Sequence, residues 1–102
     1  MKMKIIQYHP SVIESDAIGS SIKLLHRALR GSGVESYVAC SDTQRHNRSP
    51  GLMSASDVLN AKMGTSLSNS DLLLLHFSFY DDIIERLAEL PLNCVLVYHN
   101  IT

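Results

Sequence analysis

Leu72-Leu73-Leu74-Leu75-His76 is the stretch on which the fold turns. It is too short for a buried helix, it does not alternate with polar residues, and Asp71 precedes it, so it reads as a strand covered on both faces. Two other runs have the same form: Lys4-Ile5-Ile6-Gln7-Tyr8 ends in His9, and Val95-Leu96-Val97-Tyr98 ends in His99. Strands covered on both faces belong to parallel sheets with helical connections. In an open α/β sheet, ligands bind beyond the carboxyl ends of the strands. His9, His76 and His99 are therefore expected together on the edge where a site would lie.

The intervening segments supply the connections. After a first strand at about residues 3–8 and a loop over 9–16, Ile18, Ile22, Leu25 and Leu29 recur at helical spacing. Lys23, His26, Arg27 and Arg30 lie mostly off that stripe, and Gly31-Ser32-Gly33 supplies the stop. Residues 35–40 read as the second strand, giving a βαβ unit with a right-handed crossover. Residues 41–51 are polar and turn-rich and read as a surface loop. Val58, Leu59 and Met63 hint at a short helix over about 56–62, capped by Ser54 or Ser56. The third strand spans about 71–77. Asp81 and Asp82 open the next helix, Ile83, Ile84, Leu87 and Leu90 give its buried face, and Pro91 ends it. The fourth strand spans about 93–98. The expectation is an α/β fold, a three-layer α/β/α Rossmann-like sandwich on a parallel sheet in spatial order 2-1-3-4, with residues 1–102 forming one domain. The crossover helix due after the last strand is not reached by Thr102, so the chain is expected to be the leading part of a larger protein or of a truncated reading frame.

Composition narrows the function classes. A formal charge of −1 over 102 residues, with Arg27, Arg30, Arg45 and Arg48 offset by scattered carboxylates, gives no basic stripe for nucleic acid. Cys40 and Cys94 fit buried thiols better than a disulfide framework. Lys2 and Lys4 imitate the basic start of a signal peptide, but Gln7 and His9 interrupt the apolar stretch behind them. No run approaches the roughly 20 apolar residues that span a bilayer. A cytoplasmic protein is expected, with peripheral association at the inner face of the membrane left open. Neither G-x-G-x-x-G nor G-x-x-x-x-G-K-[ST] occurs, which disfavours dinucleotide dehydrogenases and P-loop enzymes.

Several clusters invite chemistry. Asp16-Ala17-Ile18-Gly19-Ser20-Ser21 starts a helix with a glycine and small hydroxyls, where free backbone N–H groups can receive a phosphate; an ordinary capped helix is the plainer meaning. The three histidines could ligate a metal, yet no H-x-x-x-H or C-x-x-C spacing supports it and no metal is expected. Ser11, Ser78 and Cys40 lie near the same edge without a G-x-S-x-G elbow, so a hydrolase is disfavoured and Cys40 reads as a packing residue. Asp81 and Asp82 read as solvated helix-start charges, and Arg45, His46 and Arg48 as a solvated loop.

Taken in order, Tyr8-His9-Pro10, Asp16-Ala17-Ile18-Gly19, Leu75-His76-Phe77-Ser78 and Val97-Tyr98-His99-Asn100-Ile101-Thr102 resemble the amino-terminal domain of family-four glycosyltransferases of GT-B architecture, and most closely a bacterial branch of that family. The resemblance runs through nearly the whole chain. It implies two Rossmann-like domains facing across a cleft, the amino-terminal one chiefly binding the acceptor and the carboxy-terminal one the nucleotide sugar. It implies Gly19 and Ser20 near the donor phosphates, and His99 as the catalytic contact to the transferred sugar. His9, Pro10, His76, Phe77, Ser78 and Asn100 would line the acceptor side. It further implies a retaining transfer to a saccharide or lipid-linked acceptor, as in building a cell-surface polysaccharide or glycolipid. The nucleotide sugar is a substrate, and no metal or other cofactor is needed. The resemblance stops short of a carboxy-terminal domain, and with it the glutamate-containing motif and basic residues that hold the nucleotide; catalysis by these residues alone is not expected. Rival readings are a stand-alone flavodoxin-like binding or interaction module and a sugar-nucleotide epimerase of the non-hydrolysing type. A receiver module wants acidic residues at the end of its first strand, where Tyr8-His9-Pro10 stands.

Overall fold

The computed structural model describes residues 3–10, 17–41, 52–59, 70–77, 81–90 and 92–99. Along the chain they form β1 (Lys4–Tyr8), α1 (Ala17–Gly31), β2 (Glu35–Cys40), β3 (Leu52–Ser54), α2 (Ala55–Leu59), β4 (Leu72–Phe77), α3 (Asp82–Ala88) and β5 (Asn93–Tyr98). All the strand pairs are parallel, and the sheet runs in the order β3-β2-β1-β4-β5. The four strands expected from sequence occupy their expected places, as β2-β1-β4-β5. The sheet differs in having a fifth, edge strand. Leu52-Met53-Ser54 pairs with Val38, Ala39 and Cys40, and three residues are too few to display a period of two.

Right-handed crossovers dictate where the helices lie. The step from β1 to β2 runs one way across the sheet, whereas those from β3 to β4 and from β4 to β5 run the other way. The helices accordingly pack on opposite faces. Ile18 and Ile22 of α1 meet Val38 and Cys40. Ala55, Val58, Ile84 and Leu87 of α2 and α3 meet Ile6, Tyr8, Ala39, Leu73 and Leu75. Alternation along each strand does the sorting: Ile6 and Tyr8 point to α2 and α3, while Ile5 and Gln7 point to α1.

Helix ends follow local chemistry. Gly33, at φ +84°, takes the left-handed position after α1; its N–H donates to the Arg30 carbonyl at 3.1 Å and the Val34 N–H to the Leu29 carbonyl at 2.9 Å, a Schellman close. The α2 start is a reciprocal box. The Asp57 N–H donates to Ser54 Oγ at 3.2 Å, and the Ser54 N–H donates to Asp57 Oδ2 at 3.3 Å. The short helix expected over 56–62 thus begins at Ala55 under the Ser54 cap; residues 60–62 lie outside those described.

Four expectations need correction. Leu25 of the α1 stripe is 38% exposed; the fully buried residues of the helix are Ile18, Gly19 and Ile22, in its first half. β5 is not covered on both faces: among the described residues it pairs with β4 alone, and Leu96 and Tyr98 are 64% and 65% exposed. Cys94 on that strand is consequently exposed rather than buried, and no disulfide joins it to Cys40. Asp81, finally, is not merely a solvated charge. Its Oδ1 accepts from the Ile83 N–H at 3.1 Å, capping α3, and its Oδ2 accepts from the Tyr8 hydroxyl at 2.9 Å. Burial first, and then the Asp81 carboxylate, push the Tyr8 phenol well above its ordinary pKa. Among the described residues, no helix is long and apolar enough to cross a membrane.

This double use of Asp81 can be measured. Asp81→Ala removes a cap and strands a buried hydroxyl, so it should destabilise by ~2–3 kcal/mol in urea unfolding. In a Tyr8→Phe background the same change should cost only the cap, about 1 kcal/mol.

Candidate functional site

The sheet register brings the three histidines to one place. Tyr8 pairs with Leu75, so His9 and His76 follow at the same level, and His76 itself pairs with Val97, two residues before His99. Residues level with one another across parallel strands share a face, and residues two apart along a strand do too. Gln7, His9, Leu74, His76, Val97 and His99 therefore all belong to the face covered by α1. Backbone bonds carry the ladder past the strand ends: the His9 N–H donates to the Ala39 carbonyl at 3.2 Å, and the His99 N–H to the Phe77 carbonyl at 2.8 Å.

Within this group the polar atoms form a chain. Gln7 is 0% exposed, and its Nε2 donates to the Ile22 carbonyl of α1 at 3.1 Å. A carbonyl oxygen only accepts, so the Gln7 amide is oriented with Oε1 toward the sheet edge. Oε1 lies 2.8 Å from Nε2 of His76, and His76 Nδ1 lies 2.8 Å from Nε2 of His99. The His76 and His99 ring centroids are 5.0 Å apart, with their planes inclined by 27°. His76 is 4% exposed, and burial, then the neighbouring His99 and His9, lower its pKa from 6.5 to about 4. It is neutral at physiological pH. His99 is half-buried, and His9 is buried beside His76.

The remaining expected site residues fall around this cluster. Gly19 is buried and Ser20 exposed in the first turn of α1, the helix on the same face. Pro10 is half-buried, and its carbonyl accepts from the Ser41 N–H at 3.1 Å. Phe77, level with Tyr98 at a ring separation of 5.9 Å, belongs to the opposite face, one residue out of phase with the imidazoles. Ser78 and Asn100 lie outside the described residues, as do Ser11, Asp16, Arg45, His46 and Arg48. Cys40 is packed among Ile18, Ile22 and Val38, in keeping with its reading as a small apolar residue. Among the described residues, no group of three or more His, Cys, Asp or Glu side chains is placed to hold a metal ion.

Sequence reasoning missed Gln7. Its signal was present, a lone amide inside a strand otherwise apolar and covered on both faces, where an amide must find partners or cost stability. Chemically, His76 has both ring nitrogens engaged and is closed to a ligand, so the half-buried His99 is the imidazole of this chain best placed to meet one at the edge.

The buried imidazole makes stability depend on pH. The unfolded chain protonates His76 near 6.5 and the folded chain only near 4, so the unfolded state binds more protons between those values. Stability should be full above about 6.5 and fall as the pH drops toward 4, by up to ~3 kcal/mol in denaturant titrations. His76→Leu should flatten that interval.

Set beside family models, curated proteins and solved structures, the chain matches none of them.

Proposed function

We propose that the chain is the acceptor-side Rossmann-like half of a retaining glycosyltransferase of GT-B type, moving a sugar from a nucleotide-sugar donor to a saccharide or lipid-linked acceptor. The observation that carries this reading is the convergence of His9, His76 and His99 at the carboxyl edge, on the sheet face against which α1 packs. The sequence resemblance assigns the transferred-sugar contact to His99, the acceptor side to His9 and His76, and a donor-phosphate approach to Gly19. Gly19 and Ser20 do lie in the first turn of the helix that covers this face. An opposing domain would supply the nucleotide site.

The chemistry suits the assignment. An imidazole can exchange hydrogen bonds with sugar hydroxyls, and the positive end of a helix dipole can favour charge growing on a leaving diphosphate. Rate enhancement would come chiefly from holding donor and acceptor in register.

The ¹⁵N-labelled chain should be titrated with maltose, which should give saturable shifts at His99 and, through its bond to His76, along the imidazole chain. His99→Ala should weaken the maltose response by roughly 3- to 10-fold, the loss of about one hydrogen bond. Absence of saturable shifts, or shifts confined to the opposite end of the sheet, overturns the reading.

A further inference from the structure

The hydrogen-bonded chain from α1 to His99 has a direction. At its inner end, the Ile22 carbonyl is an acceptor only, so the Gln7 amide must present Nε2 to it and Oε1 to His76. Oε1 is likewise an acceptor only. The proton between Gln7 and His76 therefore belongs to His76 Nε2. A neutral imidazole with a proton on Nε2 has a lone pair on Nδ1. His76 Nδ1 must then accept, and the donor 2.8 Å away is His99 Nε2–H.

We infer that Gln7 and His76 are positioning residues that hold His99 in its Nε2–H tautomer, so that Nδ1 is the lone pair His99 offers to a ligand at the sheet edge. Among the described residues the His99 ring makes one side-chain hydrogen bond, through Nε2, and the ring is half-buried rather than enclosed. The backbone N–H of His99, bound to the Phe77 carbonyl at 2.8 Å, holds the residue level with β4. The low pKa of His76 keeps its Nδ1 unprotonated, so the direction of the chain persists at neutral pH. Of the titratable groups, His9 from the end of β1 and His99 from the end of β5 are those whose charges act on His76, and both oppose its protonation.

The consequence for recognition is a polarity. His99 would accept from a ligand hydroxyl rather than donate to a carbonyl or phosphate oxygen. That preference rests on the proposed sugar-binding role, and it selects hydroxyl donors over anionic oxygens.

The test separates the two readings. Long-range ¹H–¹⁵N correlation on the whole chain at neutral pH reports the tautomer of each histidine, and a coupling across the hydrogen bond links His99 Nε2–H to His76 Nδ1. The wild type should show protonated Nε2 on both His76 and His99. Gln7→Leu, which removes the acceptor that orders the chain, should release His76 and give His99 a mixed or Nδ1–H population. Gln7→Glu sets an oxygen against the Ile22 carbonyl and a negative charge beside His76 Nε2–H; it should draw a proton onto His76 Nδ1 and turn the bond to His99 round, giving His99 an Nδ1–H population. A wild-type His99 carrying its proton on Nδ1 overturns the inference without any variant, as does an unchanged tautomer in a folded Gln7→Leu chain. If the tautomers behave as expected while maltose leaves His99 Nδ1 unmoved, the positioning role stands and the glycosyltransferase reading fails.

Discussion

A carboxamide with no access to water governs this molecule. Gln7 sits in the middle of the sheet, and an amide buried there without partners would cost several times what a surface amide costs. Both of its polar ends are satisfied, one by the backbone of α1 and one by the side chain of His76. The partners lie 15 and 69 residues away in sequence, so a single side chain ties the first helix to the fourth strand and fixes their separation. Moving α1 outward would break the bond to Ile22. Sliding β4 by one residue would turn His76 to the other face and put Leu75 or Phe77 in its place beside Gln7. The amide thus specifies register as well as contact.

Much of the fold was legible because burial writes itself into the order of residues. The runs that became β1 and β4 have no polar alternation, which only a strand covered twice can tolerate, and the second strand was found with its ends correct. The glycines after α1 marked its close because a residue at positive φ is needed there. β3 escaped because it is three residues long, and the exposure of β5 escaped because its composition matches that of the interior strands. Composition states what a strand could bury, while neighbours decide what it does bury.

The site shows the same division. The histidines could be foreseen as a group because each ends a run, and parallel strands with matched registers deliver run ends to one edge. Gln7 could be seen only as an interruption, since its meaning lies in atoms far away along the chain. The family resemblance grouped Phe77 with the imidazoles, but a strand alternates, so its ring goes to the other side. On that other side Asp81 joins Tyr8 to the start of α3, a polar tie of the kind Gln7 makes beneath α1. Each layer of helices is thus anchored to the sheet by directed side-chain bonds in addition to apolar packing, with His26 of α1 reaching Ser36 of β2 as well.

His99 closes an edge strand that is open to solvent. Among the described residues β5 shares backbone bonds with β4 alone and leaves Val95, Leu96 and Tyr98 exposed, so its amides have a route to hydrogen exchange through fraying that the interior strands lack. The imidazole chain therefore joins a rigid interior to a rim that can peel, and its outermost member is the one whose lifetime in place is shortest. A second strand or helix laid over β5 would slow that peeling and, with no new contact to any imidazole, lengthen the time for which all three rings stand together.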